Sequence, residues 1–143
     1  MKVKIVNKSN FKMPEYKTLD SAGLDLKAFI ADSVTIEPLQ RLLVPTGLFI
    51  EIPKGFEGQI RARSGLAIKH GIGLINGIGT IDSDYRGEIK IALVNISNDE
   101  FTIKNGDRIA QLVINKYERV ELIEVETIDE TQRGSGGFGS TGI

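Results

Sequence analysis

No stretch of this chain sustains a helical repeat of apolar residues for more than about two turns. Only Ser64–His70, SGLAIKH, reads as a helix, with Ser64 placed to cap its start and Gly71 to end it. Elsewhere apolar and polar residues alternate in short runs. Val3 and Ile5 alternate with Lys2 and Lys4, and Leu24 and Leu26 flank Asp25. Residues 34–36, 41–44, 47–52 and 56–62 follow, cut by Pro38, Pro45, Pro53 and Gly55. In the last of these, Ile60 and Ala62 are expected to face inward and Gln59, Arg61 and Arg63 outward. Residues 72–75 and 88–95 continue the pattern, the second with Ile89, Ile91 and Leu93 in one inward row. Residues 101–103, a turn at Asn105-Gly106-Asp107, a run at 108–115 that is apolar on both faces like a central strand, and residues 120–125 complete it. About ten short strands and one stub of helix predict an all-β domain: an antiparallel sandwich, barrel or jelly roll. That domain is expected over residues 1–126, followed by a Gly-rich tail at 127–143 with no strand or helix signal.

Composition removes several kinds of chemistry. The 18 basic and 19 acidic residues leave a net charge of −1, so there is no electrostatic footprint for nucleic acid or for an anionic membrane. The absence of cysteine excludes disulfides, thiolate catalysis and cysteine-ligated zinc, and the single histidine, His70, argues against a histidine-based metal site. The N-terminal residues lack the apolar core of a signal peptide, and no run approaches a membrane span, so a cytoplasmic protein is expected.

Against this background residues 76–87, NGIGTIDSDYRG, stand out for their density of carboxylates, a phenol and glycines. On an extended chain Asp82 and Asp84 share one face, with Ser83 and Tyr85 on the other. Gly77, Gly79 and Gly87 let the backbone turn tightly and let a ligand approach the main chain. The reading is a hairpin that cups a small polar ligand with an acid at its edge; a plain Gly/Asp turn between two strands is the alternative.

Four other places carry polar residues that a β core does not need. Asp25, in AGLDL, can hold a metal-bound water or simply be exposed. Arg63, Ser64 and Gly65 stand where a helix start presents free N–H groups to an anion. Gln111 interrupts the apolar RIAQLVI and needs a partner if buried. The tail RGSGGFGSTG contains Arg133, with Phe138 bracketed by Gly137 and Gly139; it can wrap phosphates and stack on a base, or be a disordered terminus.

Taken in order, AGLDL, RSG, NGIGTIDSDYRG, GDRIAQL and RGSGGFGSTG resemble the five motifs of the homotrimeric dUTP pyrophosphatase (dUTPase) family. The resemblance runs from Ala22 to the C-terminus, with no departure at the motif positions. It implies a β jelly-roll homotrimer in which each site is assembled from motifs of all three subunits, one chain's tail closing over a neighbour's site. It further implies magnesium-dependent hydrolysis of dUTP. Asp82 would activate the attacking water and Gln111 would position that water or the α-phosphate. Asn76, Gly79, Ile81 and adjacent main chain would hold the uracil, and Tyr85 would lie against the deoxyribose. Arg63, Ser64 and Gly65 would bind the phosphates, Asp25 would hold water on a magnesium ion, Arg133 would pair with the γ-phosphate, and Phe138, between Gly137 and Gly139, would stack on the uracil. Two other readings compete: a dCTP deaminase of the same fold, for which no matching motif is found, and a non-enzymatic nucleotide sensor.

Overall fold

Alternation decides the architecture. Along β8 (Glu88–Asn95) the buried positions are Ile89, Ile91, Leu93 and Asn95, the period of two expected of a strand with one face on a core. The computed structural model describes residues 1–137. In it β8 lies inside a four-stranded antiparallel sheet with the order β1 (Lys4–Asn7), β4 (Arg41–Glu51), β8, β6 (Ile72–Leu74). A second four-stranded antiparallel sheet has the order β2 (Leu24–Lys27), β10 (Arg108–Lys116), β5 (Phe56–Arg61), β7 (Gly79–Ile81). A ribbon of β3 (Val34–Ile36) and β9 (Phe101–Ile103) and the helix α1 (Ser64–His70) complete an antiparallel β jelly roll.

The core lies between the inner faces of the sheets. Leu26 and Ile60 come from one, Ile89 and Ile91 from the other, and Ile36 and Ile103 from the ribbon. Each such side chain contributes about 1.5–3 kcal/mol relative to leaving it exposed. The buried amide of Asn95 is fully partnered. Its Nδ2 donates to the carbonyls of Ile36 (2.9 Å) and Asp99 (2.7 Å), and its Oδ1 accepts from the Ser97 N–H (2.9 Å), which ties the end of β8 to the ribbon.

The structure differs from the sequence expectation at five points. The two strands expected at 41–44 and 47–52 are one, β4, ending at Glu51, because Pro45-Thr46-Gly47 is absorbed as a bulge: two residues are inserted between the pairs Pro45↔Lys90 and Phe49↔Glu88. Gly47 supplies the left-handed φ of 71°, Thr46 Oγ1 donates to the Ile89 carbonyl (2.7 Å), and Gly47 N–H donates to Glu88 Oε1 (2.8 Å). Ala62 is exposed and Arg63 half-buried, since β5 ends at Arg61 and the alternation ends with it. Arg63, not Ser64, occupies the helix cap position, with no side-chain capping bond, while Gly71 closes the helix as expected at φ 62°. Gly79–Ile81 is a strand. Residues 120–125 are not: Val120, Leu122, Ile123 and Val125 are exposed, and no strand edge of this chain pairs with them among the described residues.

Candidate functional site

Polar residues gather at the two opposite edges of the second sheet. At the β7 edge, the chain leaves β6 in the first sheet, crosses to pair with β5 (Gly58↔Ile81, Ile60↔Gly79), and returns to β8, which pairs with β6. Residues 76–87 therefore bridge the two sheets and are more than a hairpin. Gly77 turns the chain at φ 69°, and Tyr85 N–H bonds the Asp82 carbonyl at 3.1 Å. That β-turn places Asp82 and Asp84 on a loop, so the shared strand face expected for them is not formed. Both are exposed.

Beneath the turn lies a cleft of ≈ 570 Å³, within the range of small-molecule sites. Asn76, Gly79, Ile81, Asp82 and Tyr85 line it, with Leu43, Ile60 and Leu74 as an apolar wall. Gly79 is packed closely: a methyl group there would stand 3.1 Å from Ile60 Cβ and 3.3 Å from Asn76 Nδ2. Tyr85 Oη donates to the Glu88 carbonyl (3.0 Å).

At the β2 edge Asp25 is the centre. Its side chain keeps only 9% of its exposure, which sets aside the reading of a freely exposed aspartate. Oδ1 lies 3.3 Å from Arg63 Nε and accepts from Gln111 Nε2 at 3.3 Å; Oδ2 accepts from Arg108 Nη1 at 3.0 Å. Arg63 Nη1 also donates to the Arg108 carbonyl (2.9 Å), which fixes its guanidinium on the β10 backbone. Gln111 packs on Gly23, where a methyl would stand 3.3 Å from its Cβ and Cδ. Ser64 and Gly65 are exposed beside this cluster at the start of α1. A small cavity of ≈ 130 Å³ adjoins Asp25 and Arg108 under the loop that carries Glu15. There the hydrogen bond from Lys17 Nζ (3.0 Å) and the charge of that lysine hold the Glu15 carboxyl below its usual range.

Sequence reasoning missed Arg108. It stands three residues before Gln111, so on a regular strand the two would face opposite sides. A bulge between Arg108 and Ala110 inserts one residue against β2 and turns both side chains to Asp25. The one available signal was a cation directly after the Asn105-Gly106-Asp107 turn.

The two edges do not meet within a chain. Gln111 opposes Arg61 on β5, whereas Ile81 opposes Gly58. With strands ~4.8 Å apart and ~3.4 Å per residue, Asp82 and Gln111 are separated by roughly 15 Å. Arg133 is exposed and bonds its own turn through Nε to the Gly136 carbonyl (2.9 Å). Gly137 is half-buried, and Phe138 and Gly139 lie outside the described residues. Among the described residues no group of three or more His, Cys, Asp or Glu side chains could hold a metal ion, and no helix is long and apolar enough to cross a membrane.

The family model for dUTPase matches residues 9–142. The chain belongs to the dUTPase family. It is 61% identical over 142 residues to the deoxyuridine 5'-triphosphate nucleotidohydrolase of Finegoldia magna, covering 99% of each chain. The Cytophaga hutchinsonii protein of the same name is 59% identical over 98% of this chain and 91% of its own. Among solved structures, the dUTPase of Staphylococcus bacteriophage 80alpha with dUPNHPP superimposes with a TM-score of 0.89 at 27% identity, covering 99% of each chain. An aspartate-to-asparagine variant of the dUTPase from phage phi11 of S. aureus, whose structure reveals the coordination of a structural Mg(II) ion, superimposes with a TM-score of 0.81 at 25% identity over 91% of this chain and 100% of its own.

Proposed function

We propose that this protein hydrolyses dUTP to dUMP and pyrophosphate, as a cytoplasmic homotrimer that uses magnesium. The observation that carries the reading is the cleft under residues 76–87, where an amide, a phenol and a carboxylate line one space large enough to admit a nucleoside. The Asn76 amide offers a donor and an acceptor to the uracil edge. Gly79 and Ile81 bring main chain and an apolar surface close to the base, and the Tyr85 ring covers the deoxyribose. Asp82 takes a proton from the water that attacks the α-phosphorus in line. A P–O bond forms to that water, the bond to the α,β-bridging oxygen breaks, and pyrophosphate leaves.

The triphosphate requires more positive charge than the cleft's one cation, Lys90, which lies 4.0 Å from Glu88 Oε2, and the β2 edge supplies it. Arg63, with Ser64 and Gly65, binds phosphate there, and Gln111 orients the water or the α-phosphate. Because Asp82 and Gln111 are roughly 15 Å apart in one chain, the complete site joins the β7 edge of one subunit to the β2 edge of another. The exposed apolar row of Val120, Leu122, Ile123, Val125 and Ile128 supports assembly, since such surface is commonly covered by a partner. Residues 127–143 then act as a tail over a neighbouring site, with Arg133 on the γ-phosphate and Phe138, between Gly137 and Gly139, on the uracil.

Asp25 is the one carboxylate in the phosphate-binding cluster. That donor set fits a magnesium ion brought in on the triphosphate and reached through water, and does not fit a protein cage. When bound, the ion would offset charge on the phosphate oxygens. The reaction would limit uracil incorporation into DNA and supply dUMP for thymidylate synthesis. Pyrophosphate release from dUTP, dTTP, dCTP and UTP, with magnesium and with chelator, tests the reading. Release from dUTP alone, abolished by chelator, is expected; no release from any of the four would overturn it, and ammonia release from dCTP would favour the deaminase.

A further inference from the structure

The Tyr85 ring lies back across the main chain at Gly87. A methyl group built on Gly87 would overlap the phenol oxygen and Cζ, and would stand 2.9 Å from Cε2. No other glycine of residues 76–87 faces an obstruction this severe. The backbone does not explain the residue, because Gly77 has a left-handed φ and Gly87 is not among the positive-φ glycines. Alanine would be acceptable to the main chain at 87. What opposes it is the ring.

The other end of that ring is also fixed. Tyr85 Oη donates to the Glu88 carbonyl (3.0 Å), and Glu88 begins β8 with its Oε1 accepting from Gly47 N–H (2.8 Å) in the β4 bulge. The ring is thus seated on bare main chain at Gly87 and tied to a residue that is itself anchored across the first sheet. Tyr85 is 44% exposed, so the ring can yield to a methyl at Gly87 by moving off the main chain toward its open side, away from its present position.

We propose that Gly87 is a positioning residue for sugar selection. By lacking a side chain it lets the Tyr85 ring lie at the depth where it closes on a deoxyribose and leaves no space for a 2′-hydroxyl. This rests on the dUTP-hydrolysis reading above and adds a residue that touches no part of the substrate. A small added group is rejected only weakly by an ill-fitting pocket, so a displaced ring loses discrimination first.

The test is a double-mutant cycle of Gly87→Ala and Tyr85→Ala, with kcat/KM measured for dUTP and for UTP and folding followed by thermal melting. In Gly87→Ala the dUTP-over-UTP ratio should fall by about 10- to 100-fold, the scale of a misplaced positioning group. In the Tyr85→Ala background, adding Gly87→Ala should leave the ratio unchanged, because the ring it displaces is gone. An unchanged ratio in the single Gly87→Ala variant would overturn the proposal, as would an equal effect of that substitution with and without the ring. Should Gly87→Ala alone fail to fold, the double variant must fold; if it does not, the obstruction is not the Tyr85 ring and the proposal is wrong. Wild-type protein that releases no pyrophosphate from dUTP would instead remove the functional reading itself.

Discussion

The two edges of the second sheet are built on opposite principles. At the β7 edge the site is a shape: a cleft with apolar walls, glycines packed under its lining, and an exposed aspartate on the rim. At the β2 edge it is a charge balance, in which Arg63, Arg108 and Gln111 all converge on the two oxygens of Asp25. A cleft of fixed shape selects a ligand by what fits. A cluster whose cations already have a carboxylate partner must exchange that partner for phosphate, so it selects by charge. A nucleotide has one part suited to each, and joining the edges across subunits would let one site use both.

The largest expected effect separates chemistry from both edges. Asp82→Asn should lower kcat for dUTP by ~10² to 10⁴ while leaving the affinity for a non-hydrolysable dUTP analogue within a few-fold of wild type. An unchanged kcat would remove Asp82 as the base. Next, dissociated and reassembled mixtures of Asp82→Asn and Arg63→Ala chains test whether the edges cooperate between subunits. Equal mixing should restore about a quarter of the wild-type rate, the chance that a site draws an intact edge from each chain. A mixture no more active than its two components would place each site within a single chain and break the comparison.

Smaller effects sharpen it. Arg63→Ala should weaken binding of the dUTP analogue by roughly 10- to 100-fold, the worth of a hydrogen bond to a charged group, and leave deoxyuridine binding nearly unchanged. Titration calorimetry with both ligands reads the difference, and equal losses would show that the β2 edge shapes the cleft as well. Finally, raising ionic strength from ~0.05 to ~0.5 M should weaken the triphosphate analogue several-fold and deoxyuridine hardly at all. Parallel losses would mean that the cleft also depends on charge.

Much of the fold was legible because it depends on local alternation. The row Ile89, Ile91, Leu93 and the stop at Gly71 appear in the structure as the pattern predicts. The misses share a cause: each depends on what a segment meets in space. Gly79-Thr80-Ile81 reads as a turn until β5 offers it an edge. Residues 120–125 alternate like a strand, yet alternation reports a preference and not the presence of a partner. In the candidate site, the density of residues 76–87 was visible, whereas the role of Arg108 was hidden by a bulge that shifts its phase against Gln111. The Arg63 capping geometry was misassigned because a serine at a helix start has two uses and only the backbone angles choose between them.

Gln111, Asn76 and Tyr85 each rest on a glycine, at 23, 79 and 87 respectively. In a library of single substitutions, these three positions would therefore be restricted, as would Gly47, Gly58 and Gly71 elsewhere in the fold, although none of them carries a side-chain atom to contribute. Neutral drift around this site is confined by volumes that must stay empty, and a search for functional residues limited to reactive groups would pass over them.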